Sequence, residues 1–250
     1  MFNCFKCLQL FSIKQDRFLH LTLLDFEKRL IDSELEQTFY NFVGMKQFPE
    51  GIKNIIFDLG GVLLDIDATR TIQAFRELGM PDLIKPGGWG YRHKVFLQME
   101  QGQISEKTFR TGIRQLLPNP VSDEAIDAAW CAMIIDYAPE KIDLLKQLRD
   151  DYHLYLFSNT NSIHICHFQA LFEKKFGHSL VDLFVKDYYS SDIQLRKPAL
   201  ESYQFVLDDA QIQPSETLFI DDSEENVNCA RQTDMHAVWL SPEMNLQELF

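Results

Sequence analysis

From residue 53 onward the apolar positions fall into short runs, each closed by polar or glycine residues. Residues 55–57 (Ile-Ile-Phe) end in Asp58 and Gly60-Gly61, as a buried parallel strand entering a tight turn would read. Similar runs occupy 153–157, followed by Ser158-Asn159-Thr160, and 217–220, followed by Asp221-Asp222. Weaker runs lie at 183–185 and 237–240. Between them stand helical patterns at 141–149 behind Pro139, at 162–172, and at 199–207 behind Pro198. Strands alternating with helices predict an α/β fold built on a doubly wound parallel sheet.

One interval breaks the rhythm. A βαβ unit needs about 30 residues, yet the first strand ends at Asp58 and the second begins near His153. The surplus, 68–137, has the length of a second domain inserted after the first strand. Its Leu- and Phe-rich helical patterns are separated by Gly79-Met80-Pro81, by Pro86-Gly87-Gly88-Trp89-Gly90 and by Pro118-Asn119-Pro120, which predicts a small helical bundle. Residues 45–67 and 138–250 then form the core. Upstream, residues 1–43 hold neither Gly nor Pro, and Phe18, Leu21, Leu24, Leu30, Leu35, Phe39 and Phe42 fit one amphipathic helix ending at Gly44. The stretch 1–44 is an extension of unknown role. Met45 opens a natural beginning, so both an upstream extension from a mis-chosen start and a helical lid stay open.

Length and charge narrow the classes. The 250 residues suit one large domain or two small ones, and 24 Lys plus Arg against 37 Asp plus Glu leave a formal net charge of −13. Such a surface repels phosphate backbones and anionic lipids, and without a basic patch neither nucleic acid nor membrane is an expected partner. No apolar run approaches the roughly 18 residues of a membrane span. Five scattered cysteines argue against a disulfide framework and for the reducing cytoplasm; the pair Cys4 and Cys7 stands alone near the start.

In an open α/β sheet, ligands collect beyond the carboxyl ends of the strands. The polar residues that follow the three best strands are Asp58, Ser158 and Asp221-Asp222, and Lys197 adds a cation just before a helix. Aspartates at two strand ends can hold a hard divalent cation through oxygen. The Ser158 hydroxyl, the backbone donors of Asn159 and Thr160, and the Lys197 ammonium could surround an anion. Singly, each is an ordinary turn or cap residue; their shared order is the signal. The run His164-Ile165-Cys166-His167 reads as packing or surface residues rather than a metal cluster. Gly87 to Gly90 follows a proline and no strand, so it is no dinucleotide fingerprint, and Trp89 within it reads equally as a packing anchor and as a sugar contact.

Taken together, these residues resemble the haloacid dehalogenase superfamily, most of whose members are magnesium-dependent phosphatases. Its four motifs look like Phe57 to Asp65, Ser158-Asn159-Thr160, Lys197-Pro198 and Phe219-Ile220-Asp221-Asp222. The insertion matches the family's helical cap. Phe96-x-x-x-Glu100-x-Gly102-x-Ile104-Ser105-x-x-x-Phe109 is similar to the cap of a bacterial branch that includes α-D-glucose-1-phosphate phosphatase, as is the combination of Ser158 to Asn161 with His164. The resemblance implies a Rossmann-like sheet of order 5-4-1-2-3, and a cap that opens and closes about linkers near Asp67 and Tyr137. It implies Asp58 as the nucleophile that becomes an aspartyl-phosphate. Mg²⁺ would be held by Asp58, the Gly60 carbonyl and Asp222, with Asp221 acting through water. Ser158 and Lys197 would bind phosphate oxygens, and Asn159, His164 and Trp89 would contact substrate.

Position 60 departs from the family. Most of its phosphatases carry there a second aspartate that protonates the leaving group, and a positioned acid or base contributes about a hundredfold to ten-thousandfold. Gly60 therefore implies a slower enzyme, a more acidic leaving oxygen such as that of an anomeric sugar phosphate, or a substitute among Asp65, Asp67, Glu100 and His164. The reading is hydrolysis of a small phosphomonoester, a sugar phosphate first. Two alternatives accompany it: a 2-haloacid dehalogenase, which needs no metal and so leaves the paired aspartates unexplained, and a phosphate-binding pseudoenzyme, which Gly60 favours.

Overall fold

The computed structural model describes residues 49–80, 82–83 and 91–250. The proposed helix before Gly44, Cys4, Cys7 and Trp89 lie outside them. Five parallel strands form the central sheet: β1 (Asn54–Phe57), β4 (His153–Ser158), β5 (Lys186–Tyr189), β6 (Thr217–Asp221) and β7 (His236–Trp239), in the order β5-β4-β1-β6-β7. Renumbered over these five strands alone, this is the order 5-4-1-2-3 read from the other edge. β1 sits centrally with all four residues buried, Ile56 lying opposite Tyr155 of β4 and Phe219 of β6.

Alternation along the strands sends side chains to two separate cores. Ile55, Phe57, Leu154, Leu156, Leu218 and Ile220 pack with Ile142 and Leu145 of α5 (Pro139–Leu148) and with Phe168 and Phe172 of α6 (Ser162–Phe176). Ile56, Tyr155, Phe157 and Phe219 pack on the opposite face with Tyr203 and Val206 of α8 (Leu200–Ala210) and Val227 and Ala230 of α9 (Glu224–Ala230). Helices on both faces explain why the inner strands read as unbroken apolar runs.

The expected strand at 183–185 is displaced to Lys186–Tyr189. Leu180 and Leu183 are buried in a 3₁₀ turn, while Val185 is 62% exposed. β5 is an edge strand bonded to β4 alone, so no long apolar run marks it and the pattern pointed three residues early.

After β1 the chain turns through Leu59 to Leu63 into β2 (Leu64–Ile66), which pairs antiparallel with β3 (Ile134–Tyr137). Asp65 and Asp136 face each other across this ribbon, a like-charge pair relieved by Lys141 at 2.8 Å from Asp65 and Lys175 at 2.6 Å from Asp136. Between the ribbon strands lie α1 (Ala68–Glu77), α2 (Lys94–Glu100), α3 (Glu106–Leu116) and α4 (Asp123–Cys131). Asp67, Ser105 and Ser122 cap α1, α3 and α4 by accepting main-chain N–H bonds. Trp130 is fully buried among Tyr91, Phe96 and Phe109, with ring centroids 5.6, 5.0 and 5.8 Å away. No helix among the described residues is long and apolar enough to cross a membrane.

Candidate active site

Parallel strands bring the carboxyl ends of β1, β4 and β6 to one edge of the sheet. The Asp58 N–H donates to the Ile220 carbonyl at 2.9 Å, which places Asp58 beside Asp221. Lys197 reaches the same point from the loop before α8 and is 1% exposed. Its ammonium donates to Asp58 Oδ1 at 2.8 Å, Asp221 Oδ2 at 2.6 Å and the Phe157 carbonyl at 2.9 Å, using all three of its protons. It also lies 5.1 and 5.3 Å from the ring centres of Phe157 and Phe219. A cavity of about 170 Å³ opens over this cluster, lined by Asp58, Gly60, Ser158, Asn159, His164 and Asp222 among others.

Carboxylate oxygens of Asp58, Asp221 and Asp222 lie within 4.8 Å of one another. Among the described residues one ammonium stands in this cluster of three carboxylates, so when fully ionised it carries a formal charge of −2, the balance a divalent cation would supply. Burial drives the Asp58 carboxyl up to about 7; Lys197 opposes this, while Asp221 and Asp222 reinforce it. Burial also opposes the charge on Lys197, yet Asp58 and Asp221 more than offset it, and its pKa stands above the usual lysine value.

The all-oxygen donor set suits a hard cation such as Mg²⁺. Asp221 is the most engaged of the three: its Oδ1 accepts from the Ser223 N–H at 2.8 Å and Asn226 Nδ2 at 2.9 Å, and its Oδ2 holds Lys197. That leaves Asp222 and Asp58 nearer to hand for direct ligation. Gly61 (φ +79°) brings its backbone so close to Asp222 that a Cβ there would overlap the carboxylate. Gly61→Ala is therefore expected to weaken Mg²⁺ binding at least about tenfold in a calorimetric titration, and unchanged affinity would show that Asp222 does not hold the metal.

The structure also sorts the remaining sequence candidates. Asn159 lines the cavity, but its amide clamps the Lys197 main chain from both sides, donating to the carbonyl at 2.9 Å and accepting from the N–H at 3.0 Å. Its side chain thus holds the Lys197 main chain in place. Position 60 is closed by Ile66, whose Cδ1 would lie 3.0 Å from an added Cβ.

Of the possible substitutes for an acid there, Asp65 is paired with Lys141, Asp67 caps α1, and Glu100 is held by Tyr91 and Arg196. His164 does line the cavity, stacked on Trp130 at 4.6 Å between centroids. Its Nε2 lies 3.0 Å from the Trp130 carbonyl, which can only accept, so that nitrogen carries the proton. Burial pushes its pKa down to about 4, and near neutral pH Nδ1 is a lone-pair acceptor. Sequence reasoning missed Asn226 and Trp130. A helix starting at Ser223, with Asn226 three residues on, was a signal for the first; for the second, only helix register decides.

A family model described as haloacid dehalogenase-like hydrolase matches residues 52–233. The chain belongs to this family. Among its relatives is the D-ribitol-5-phosphate phosphatase of Bacteroides thetaiotaomicron, 34% identical over 181 residues, 72% of this chain and 88% of that protein. A haloacid dehalogenase-family enzyme of the same organism, solved as a magnesium complex, is 37% identical with a TM-score of 0.75, covering 80% of this chain and 99% of that one. A predicted family hydrolase of Porphyromonas gingivalis is 31% identical with a TM-score of 0.70, covering 78% of this chain and 94% of that one. The expected family and its sheet are thus borne out. The relative whose name carries a substrate acts on a sugar-alcohol phosphate, and these comparisons lend the glucose-1-phosphate branch no support.

Proposed function

We propose that this haloacid dehalogenase-like hydrolase is a Mg²⁺-dependent phosphatase of small sugar or sugar-alcohol phosphates, with Asp58 as nucleophile. The observation that carries the reading is the convergence of three aspartates from two strand ends, two of them bonded to one buried ammonium. Bound between Asp58, the Gly60 carbonyl and Asp222, Mg²⁺ would supply positive charge that draws the phosphate in and lowers the pKa of Asp58. Lys197 neutralises Asp58 on its other side, so the carboxylate can approach an anionic phosphorus. Its three protons are engaged, so a direct bond from Lys197 to phosphate would exchange for one of those present. Ser158, 5% exposed and lining the cavity, offers its hydroxyl to a phosphate oxygen. The insert 68–137 serves as the cap over this site. The names of the relatives and the magnesium complex support the substrate class and the metal, and the free thiols of Cys131, Cys166 and Cys229 suit a reducing cytoplasm.

No proton-bearing side chain stands at position 60, and the reading expects phosphates with acidic leaving oxygens to react faster. The test is phosphate release from ribitol 5-phosphate, glucose 1-phosphate and p-nitrophenyl phosphate, with Mg²⁺ and with a chelator. Release that needs Mg²⁺ supports the proposal; no release from any of them, or release that survives the chelator, overturns it. His164 stays neutral above about pH 5 and offers only an acceptor. His164→Gln is accordingly expected to raise KM for hydroxylated substrates several-fold while leaving the pH dependence of kcat between pH 5.5 and 8 unchanged. A shifted acid limb would show that His164 moves a proton.

A further inference from the structure

Outside the carboxylate cluster, the most enclosed charged group among the described residues of the helical insert is Glu100, at the end of α2 and 6% exposed. Oε1 accepts from the Tyr91 hydroxyl at 2.6 Å, and Oε2 accepts from Arg196 Nε at 3.2 Å. Arg196 belongs to the other part of the molecule, one residue before Lys197, and its Nη1 donates to the Lys197 carbonyl at 3.2 Å. That carbonyl is the one Asn159 also holds.

A second tie runs through Ser190, which is fully buried. Its Oγ lies 2.7 Å from the Glu100 carbonyl and accepts from the Thr160 N–H at 2.9 Å. Beside it Gly102 (φ +64°) packs so tightly on the Ser191 carbonyl that a Cβ would overlap it. The end of α2 is thus seated on two of the loops that line the cavity, Ser158 to Thr160 and Arg196-Lys197. This also accounts for Glu100 and Gly102 in the insert's motif.

We propose that Glu100 and Arg196 are positioning residues: with the insert docked, the Glu100 carboxylate aims the Arg196 guanidinium at the Lys197 main chain and so holds Lys197 in register with Asp58. The proposal rests on the phosphatase reading for its kinetic form. A buried carboxylate paired with a guanidinium in a fixed direction suits such a task, because a misplacement of about 1 Å near the reacting centre can cost about a hundredfold.

The test uses the full chain. Glu100→Ala and Arg196→Ala are each expected to lower kcat about tenfold to a hundredfold. The fold-loss should be the same for p-nitrophenyl phosphate as for a sugar phosphate, because Lys197 serves both. The double variant is expected to be no worse than the poorer single one. Glu100→Gln keeps acceptor and shape and is expected to recover kcat to within about threefold of wild type. A KM rise confined to sugar phosphates would overturn the proposal in favour of a substrate contact, and so would unchanged kcat or additive losses. If Glu100→Ala fails to fold, Arg196→Ala, whose side chain is 34% exposed, decides alone by the same kcat criterion. If wild type releases no phosphate, the phosphatase reading fails separately. Binding of inorganic phosphate with Mg²⁺, followed calorimetrically, then decides: at least about fivefold weaker binding in both alanine variants upholds the positioning role, and equal binding overturns it.

Discussion

Asp58→Asn is expected to abolish phosphate release, by at least about ten-thousandfold, and at the same time to stabilise the metal-free protein at pH 8. The first effect follows if Asp58 forms the bond to phosphorus, since an amide oxygen is a far poorer nucleophile than a carboxylate. The second follows from the cluster's charge. Asp58 has a carboxyl pKa of 3.8 in the absence of perturbation and about 7 in the fold, with burial as the leading cause. Between those values the native state holds more protons than the unfolded chain, so stability falls as pH rises through the window. Above pH 7 the penalty is complete. About three pKa units at about 1.4 kcal/mol each set its ceiling near 4 kcal/mol. Asn removes that penalty, while Lys197 keeps Asp221 and the Phe157 carbonyl as partners. The melting temperature without metal is expected to rise by at least about 2–4 °C at pH 8, for roughly 1 kcal/mol, and to match wild type near pH 4. A variant that keeps more than a hundredth of the wild-type rate, or melts no higher at pH 8, contradicts this account.

Lys197→Met is expected to be inactive for a different reason and to be strongly destabilised. It removes the one cation that, among the described residues, is bonded to two buried carboxylates, Asp221 at 0% exposure and Asp58 at 8%. Breaking a buried ion pair from one side costs about 3–5 kcal/mol, a fall in melting temperature of roughly 10 °C. Without the ammonium, which opposes the rise, the Asp58 carboxyl is pushed further up and takes up a proton on folding, so the loss is expected to be larger at pH 8 than at pH 5. Turnover should drop at least about a thousandfold, because the charge that quiets Asp58 towards an incoming phosphate is gone. Adding Asp58→Asn to Lys197→Met should restore part of the lost stability, since one uncompensated carboxylate disappears. Thermal denaturation at both pH values checks this directly; equal losses at pH 5 and pH 8 would show that Lys197 is held for packing rather than charge.

The inner strands and the helices that cover them were legible because each follows a single period of burial. Asn54–Phe57, His153–Ser158 beyond its exposed first residue, and Thr217–Asp221 are buried on both faces and so stand out as apolar runs. The edge strand Lys186–Tyr189 was misplaced because one neighbour and partial exposure leave no such mark. The insert was legible as helices, but not in its packing. Trp130 is the ring on which Phe96, Phe109 and His164 converge, and that depends on how α4 is rotated.

The same division runs through the site. Sequence by itself determined that Asp58, Ser158 and Asp221 share one edge of the sheet, because the residue that closes each parallel strand must emerge at the same end. It also determined that position 60 has no side chain to donate a proton. Only the tertiary structure decided what these groups do to one another. Lys197 comes from 139 positions away to reach Asp58, His164 is kept neutral by burial while the Trp130 carbonyl fixes its proton on Nε2, and Glu100 reaches Arg196 across 96 positions. Charge state and hydrogen-bond direction depend on desolvation and on neighbours in space, and neither is written in the order of residues along the chain.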